Sequence, residues 1–128
     1  IKLMEKNIAD IGTLVCETTN MEDAEKPSHV KAVLAGIKEH EGDCLYFSRS
    51  KVPYGSEMVH HHIGIYGFCK NALHKFVKLP QSRLELSEKL EQLRALDAGM
   101  TIRARIVNEY PISVDTAEDL EKVRDLFK

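Results

Sequence analysis

The chain has 128 residues, enough for one domain with a single hydrophobic core. It is 43% hydrophobic and 30% charged, with a formal net charge of -2, which is typical of a soluble globular protein. It has no basic stripe with interleaved aromatic residues, which argues against a nucleic-acid partner. It has no apolar run of about 18 residues, which argues against a membrane span.

Apolar spacing in the first part of the chain predicts the end of a helix, a strand and a hairpin. Residues 1–9 have helical spacing, and because this pattern is already under way at Ile1 we expect a piece of a longer protein. β-Branched residues predict a largely buried strand over residues 10–18. After a polar connection, residues 30–34 and 44–48 flank a polar segment that contains glycine, and this arrangement predicts a hairpin.

Strands and helices are also mixed in the second part of the chain. The sequence predicts strands over residues 60–69 and 101–107, with a short helix over residues 71–78. A last helix is predicted to begin at Asp115. This mixture of elements predicts an α/β or α+β layered fold.

The longest helix is predicted between Ser82 and Gly99. Ser82 and Glu85 have the spacing of a capping box, and Gly99 is a typical residue just past a helix end. Leucines recur at helical spacing along this segment, at Leu86, Leu90, Leu93 and Leu96.

Three cysteines, Cys16, Cys44 and Cys69, each lie in an apolar, strand-like segment. Their odd number and wide spacing favour reduced core thiols over a disulfide or a metal site.

Three consecutive histidines, His60, His61 and His62, precede the apolar segment "IGIY". Because successive side chains on a strand point to opposite faces, all three cannot bind one metal ion without a distorted backbone. The position inside the chain argues against a purification tag. His62 and Tyr66 share a predicted strand face, where they either line a common pocket or pack in the core with satisfied ring nitrogens.

Four other polar residues are candidates for chemistry. Glu91 and Gln92 offer a carboxylate and an amide to a polyol, or they form a solvated helix face. Arg49, just past a predicted strand, suits a carboxylate or a phosphate, or it is a surface cation. Asp115 stands at a strand-to-helix junction, where open α/β sheets bind ligands, or it caps the last helix.

Four segments, in chain order, together resemble one enzyme family. They are "KAVLAGIKEHEGDCLYFSRSKVPY", "HHIGIYGF", "SEKLEQLRALDAGMTIRARIV" and "SVDTAEDLEKVR". Each motif is short, but their ordered combination is specific. From about Ile8 to its end, the chain resembles the C-terminal half of the 3-deoxy-manno-octulosonate (Kdo) cytidylyltransferases.

The resemblance implies an enzyme that joins CTP and Kdo to give CMP-Kdo and pyrophosphate for lipopolysaccharide biosynthesis. It also implies a magnesium-dependent homodimer in the cytoplasm. The implied fold is α/β, part of a nucleotide-diphospho-sugar transferase-like (Rossmann-like) fold with a mixed sheet and a small antiparallel dimerisation sheet.

The resemblance also assigns site residues. Asp115 is implied to be the catalytic aspartate and a magnesium ligand, while His60 and His61 receive no role. The residues implied to contact Kdo or to lie near it are His62, Tyr66, Glu91, Gln92 and Arg49.

The resemblance places residues 1–128 as the C-terminal portion of a single-domain cytidylyltransferase. The CTP-binding N-terminal half of the family, with its basic loop and second metal aspartate, is absent from the sequence, so we expect the chain alone to be inactive. The stretch between Tyr54 and His61 is shorter than in the family, and "PISVDT" stands where "PGxGVDT" is usual. Two alternatives stay open: a non-catalytic sugar-binding or dimerisation fragment, and a cytidylyltransferase for another acid sugar such as sialic acid.

Overall fold

Five strands form a mixed sheet that closes on itself as a barrel, in the order β1-β4-β2-β3-β5. The computed structural model describes residues 9–108. Strands β1 and β5 are parallel, and the other neighbouring strands are antiparallel. The strands are β1 (Ile11–Thr18), β2 (Lys31–Lys38), β3 (Glu41–Ser48), β4 (Val59–Phe68) and β5 (Ile102–Val107).

Four short helices accompany the barrel within the described residues. They are α1 (Met21–Ala24), α2 (Lys70–Val77), α3 (Arg83–Glu88) and α4 (Leu93–Asp97). No helix within residues 9–108 has both the length and the hydrophobicity that a membrane span requires. The predicted strands, the hairpin and the helix over residues 71–78 are confirmed, as is the mixed α/β character. The helix predicted over residues 1–9 lies outside the described residues except for residue 9, and the helix predicted from Asp115 lies wholly outside them.

The core joins the inner face of the sheet to α2 and α4. Phe47, Leu93 and Ala95 are fully buried in it. All three cysteines are free thiols, but the predicted core position holds only for Cys44, because Cys16 and Cys69 are partly exposed. Burial raises the pKa of the Cys44 thiol to about 12, so this thiol is protonated at neutral pH.

The hairpin connection is much shorter than predicted. Strands β2 and β3 extend toward each other and leave Glu39 and His40 as the turn, with φ angles of 54° and 65°. Positive φ at both turn residues is typical of the tight turns that suit the twist of a hairpin. Neither residue belongs to the types that usually mark such a turn, which is why the sequence pattern predicted a longer connection.

The prediction of a single helix between Ser82 and Gly99 is wrong. The capping box of Ser82 and Glu85 is present, but α3 ends at Glu88 because Lys89 adopts a left-handed conformation with φ 59°. The leucine spacing continues through this break, so periodicity alone could not reveal it. Leu86 in α3 is 59% exposed, whereas Leu90, which lies between the two helices, is 6% exposed. The two leucines therefore do not belong to one continuous apolar face.

Candidate functional site

His62 and Tyr66 both lie on the inner face of the sheet, on either side of a two-residue bulge in β4. His62 pairs with Val15 and Tyr66 pairs with Thr13, whereas Gly64 and Ile65 have no partner on β1. Paired residues of neighbouring strands project to the same face. The rings of His62 and Tyr66 lie 5.3 Å apart between centroids, so the structure brings these two predicted site residues together.

The His62 ring is held on several sides. Its Nε2 atom lies 2.9 Å from the Oγ1 atom of Thr13, which is completely buried. Phe47 packs edge-on against the ring with 4.8 Å between centroids. Burial, with a smaller contribution from His61, lowers the pKa of His62 from 6.5 to about 4. His62 is therefore neutral at pH 7 and can accept as well as donate a hydrogen bond.

A cavity of about 160 Å³ lies beside Tyr66. Glu91 and Gln92 line it together with Tyr66, so three of the predicted sugar ligands meet here. The other lining residues are Ile11, Phe68 and Phe76. Burial, followed by the nearby Glu91 carboxylate, raises the pKa of the Tyr66 phenol, so the hydroxyl keeps its proton and can donate it. His62 does not line the cavity, but its ring contacts the ring of Tyr66, which does.

This cavity combines apolar side chains with the polar groups of Tyr66, Glu91 and Gln92. A carboxylate, a primary amide and a phenol can together donate and accept several hydrogen bonds. Small-molecule sites are commonly built from apolar side chains with a few convergent polar groups. The arrangement suits a polyhydroxylated ligand of modest size.

The break between α3 and α4 places Glu91 and Gln92 at the cavity. The Glu88 carboxylate accepts hydrogen bonds from the Tyr46 hydroxyl at 3.1 Å and from the Ser48 hydroxyl at 3.1 Å. It also accepts one from the Arg49 backbone N–H at 3.2 Å. These three contacts hold the end of α3 against the end of β3, and thereby fix where the segment with Glu91 and Gln92 begins.

Arg49 uses its guanidinium group on backbone carbonyls. Its Nε donates to the Glu88 carbonyl at 2.9 Å, and its two terminal nitrogens donate to the carbonyls of Lys89 at 3.1 Å and Pro27 at 2.9 Å. Carbonyls at a helix end lack partners within the helix, so Arg49 satisfies those that the break exposes. A sugar contact for Arg49 stays a prediction, and Arg49 does not line the cavity beside Tyr66.

An ion pair fixes the start of α4 from the other side. Arg94 donates to both carboxylate oxygens of Glu85, at 2.9 and 2.7 Å. Its guanidinium carbon also lies 5.1 Å from the centre of the Phe76 ring, over a residue that lines the cavity. Two-pronged arginine–carboxylate pairs add geometric specificity as well as energy. The turn that carries Glu91 and Gln92 is therefore held at both of its ends.

A second cavity, of about 260 Å³, is lined by residues that include His61, His29 and Lys31. The His29 and His61 rings lie 4.7 Å apart. Lys31 is fully buried, and its ammonium group donates to the backbone carbonyls of Lys26, His29 and Arg49. Burial lowers the pKa of Lys31.

The sequence interpretation missed Thr13, Lys31 and Glu88. Thr13 had a signal, because it is the one hydroxyl inside the apolar segment "IGTLV". Lys31 is the second residue of a predicted strand, and a lysine there normally lies at the surface, so nothing in the sequence indicated its burial. Glu88 belongs to a charged helical stretch and resembles any solvated residue of that stretch.

Asp115, the predicted catalytic and magnesium-binding residue, lies outside the described residues. Within residues 9–108, no group of three or more His, Cys, Asp or Glu side chains could hold a metal ion. The described residues thus offer no metal centre of their own.

The chain is similar to proteins of known name along nearly its whole length. It is 48% identical over 127 residues to a 3-deoxy-manno-octulosonate cytidylyltransferase of Agrobacterium fabrum, covering 99% of this chain and 51% of that protein. It is 49% identical over 127 residues to a protein of the same name from Rhodospirillum rubrum, covering 98% of this chain and 50% of that protein. The chain spans about half the length of the curated relatives it matches.

A solved structure and a family profile agree with these relatives. The structure, described as CMP:2-keto-3-deoxy-manno-octonic acid synthetase complexed with CTP, has a TM-score of 0.77 at 35% sequence identity. The match covers 98% of this chain and 52% of that one. The profile of the family described as "Cytidylyltransferase" matches residues 1–102. With this match over most of its length, the chain belongs to the cytidylyltransferase family.

Proposed function

We propose that the protein containing this chain transfers the cytidylyl group of CTP to 3-deoxy-manno-octulosonate, giving CMP-Kdo and pyrophosphate. The observation that carries the proposal is the 48% identity, over 127 residues, to a relative named for this activity. The cavity beside Tyr66 supports it, because the polar groups of Glu91 and Gln92 suit a polyhydroxylated sugar.

In this reaction the anomeric hydroxyl of Kdo attacks the α-phosphorus of CTP. A bond forms between the anomeric oxygen and phosphorus, the bond from the α-phosphorus to the β-phosphate oxygen breaks, and the hydroxyl proton is released. Pyrophosphate carries away the electron pair. The residues of this chain contribute by holding the sugar so that its hydroxyl is aligned, which is an effect of positioning.

The candidate ligands divide the recognition of the sugar between them. Tyr66 keeps its phenolic proton and donates it, while Glu91 accepts hydrogen bonds from sugar hydroxyls. Gln92 both donates and accepts. A sugar that lacks one of the matching hydroxyls would leave a buried polar group without a partner, which is costly and gives the site its specificity.

Magnesium is part of the proposal, with Asp115 as a ligand, because Mg²⁺ binds hard carboxylate oxygens and offsets phosphate charge when bound. The described residues neither supply nor replace such a site. The wider proposal is that the whole protein is a cytoplasmic homodimer in lipopolysaccharide synthesis. Its fold would be nucleotide-diphospho-sugar transferase-like, with a small antiparallel sheet at the dimer contact.

The test uses the intact protein that contains this chain. With CTP, Kdo and magnesium, we expect equal amounts of CMP-Kdo and pyrophosphate. Replacing Kdo by N-acetylneuraminate tests the other acid sugar, and omitting the sugar tests for simple CTP hydrolysis. Turnover only with N-acetylneuraminate would assign the family member to sialic acid. Sugar binding without turnover would favour the non-catalytic alternative.

A further inference from the structure

The hydroxyl of Thr13 lies between a carbonyl oxygen and a histidine nitrogen. Its oxygen is 2.7 Å from the carbonyl oxygen of Ile65 and 2.9 Å from Nε2 of His62. The carbonyl oxygen of Ile63 is farther away, at 3.4 Å. Thr13 is fully buried, so water does not compete for these positions.

A threonine hydroxyl has only one proton to donate. A carbonyl oxygen has lone pairs and no proton, so the short contact to Ile65 takes the proton of Thr13. The hydroxyl then turns a lone pair toward Nε2 of His62. If Nε2 carried no proton, its lone pair would point at the lone pair of the Thr13 oxygen, and the two would repel each other. Nε2 must therefore carry a proton and donate it to Thr13.

The bulge in β4 makes this arrangement possible. Gly64 and Ile65 lie between the residues that pair with Leu14 and Thr13, so Ile65 has no partner on β1. The Ile65 carbonyl accepts the hydrogen bond of the Thr13 hydroxyl at 2.7 Å. A partly buried carbonyl needs a donor, so this contact helps to hold the bulge in place.

The other ring nitrogen of His62 is then bare. A neutral imidazole carries one proton, so with Nε2 protonated Nδ1 is an acceptor. Within residues 9–108, Nδ1 of His62 has no hydrogen-bond partner among protein atoms. The ring lies against Tyr66, which lines the cavity.

We propose that Thr13 is a positioning residue that fixes His62 with its proton on Nε2, so that Nδ1 is the ring atom left to accept a hydrogen bond from a ligand. The tautomer follows from the contacts alone. His62 contacts the cavity residue Tyr66 and does not line the cavity itself, so a sugar hydroxyl as the donor to Nδ1 rests on the proposed function.

Two substitutions separate the hydroxyl from the shape of the side chain. Thr13→Val keeps the branched shape but removes the acceptor for Nε2, whereas Thr13→Ser keeps the hydroxyl and loses a methyl group. Long-range proton–nitrogen NMR correlations in the intact protein distinguish a protonated ring nitrogen from a bare one. His62→Gln identifies the His62 signals by their loss.

In the unsubstituted protein and in Thr13→Ser, we expect the His62 proton on Nε2. In Thr13→Val, we expect the proton to redistribute toward Nδ1. A proton on Nδ1 in the unsubstituted protein would overturn the proposal, as would an unchanged His62 spectrum in Thr13→Val. The position of the proton in the unsubstituted protein can be measured without any variant, so the proposal can still be tested if Thr13→Val does not fold.

The kinetic arm tests the role of Nδ1. Loss of one neutral hydrogen bond predicts a KM for the sugar raised about fivefold in Thr13→Val, with the KM for CTP unchanged and Thr13→Ser close to normal. If the KM for the sugar is the same in the unsubstituted protein, Thr13→Val and Thr13→Ser although the tautomer has changed, Nδ1 of His62 does not contact the sugar. Absence of turnover with every sugar would instead refute the proposed function and leave the tautomer result standing.

Discussion

His62 differs from its two neighbours in what surrounds it, although all three histidines are buried. His60 approaches Glu17 at 3.8 Å, and His61 packs on His29, while only His62 contacts Tyr66 beside the cavity. Strand alternation predicted that His61 faces away from His62, and the pairing of His61 with Cys16 next to that of His62 with Val15 agrees with it.

Alanine at His62 is therefore expected to raise the KM for Kdo on the order of tenfold, the cost of about one hydrogen bond. The KM for CTP should change much less. His60→Ala and His61→Ala are matched controls, and both KM values should stay near normal in them. Because each alanine also removes a buried ring, thermal melts must show folded protein at the assay temperature. Equal effects in all three variants would remove His62 from the sugar site.

Burial of His62 also predicts a dependence of stability on pH. Its pKa is about 4 in the folded protein and 6.5 in its ordinary environment, so between these values the unfolded chain binds more protons. The free energy of unfolding should thus fall as pH falls from 6.5 to 4, by up to about 3 kcal/mol from this residue. Urea unfolding at pH 7 and pH 4.5 measures it. His62→Gln should flatten the profile, and parallel profiles for the two proteins would contradict the assignment.

Asp115→Asn tests the carboxylate proposed to hold magnesium. The amide keeps the shape but loses a charged oxygen ligand, so turnover should fall far more than stability, and more magnesium should be needed for half-maximal rate. A magnesium titration of the intact enzyme with CTP and Kdo checks this. Normal activity at ordinary magnesium would return Asp115 to the role of a helix cap.

At the scale of elements, the turn between α3 and α4 depends on Arg49. Arg49→Met removes three hydrogen bonds to backbone carbonyls, so we expect the free energy of unfolding to fall by about 2 kcal/mol. The KM for Kdo should rise in parallel, because Glu91 and Gln92 lose their support. Arg83→Met, an exposed arginine at the start of α3, is the control and should change neither. A raised KM with normal stability would instead indicate that Arg49 contacts the sugar directly.

Element types could be predicted from the sequence because hydrophobic periodicity is a local property of the chain. Breaks within elements could not. The left-handed Lys89 is supported by Arg49, a residue distant in sequence, and the turn at Glu39 and His40 carries no glycine or asparagine. The shared face of His62 and Tyr66 could be predicted from their spacing, although the bulge at Gly64 and Ile65 was not foreseen.

At the scale of the whole molecule, a second bulge decides which side chains of β3 enter the core. Val33 pairs with Tyr46 and Leu34 with Cys44, so Leu45 has no partner on β2. Leu45 is 60% exposed, whereas Phe47, two residues later, is fully buried. Simple alternation would have put both side chains on one face, so the sequence could not separate them.

Phe47→Ala is therefore expected to lower the free energy of unfolding by about 3–5 kcal/mol, since it leaves a cavity in the core. Leu45→Ala, on the same strand, should change it by less than about 0.5 kcal/mol. Denaturant unfolding of the two variants side by side measures the difference. Similar losses from both would mean that Leu45 is buried in solution.

Closure of the barrel has a consequence for the order in which the protein can form. Strand β1 needs β5 as a parallel neighbour, and the Asp10 side chain accepts a hydrogen bond from the backbone N–H of Thr101, 91 positions later. During synthesis β1, β4 and the hairpin can assemble while β5 is still inside the ribosome. Until β5 emerges, β1 and β3 each present an unpaired edge, the kind of surface on which nascent chains aggregate. One late strand then seals both edges at once.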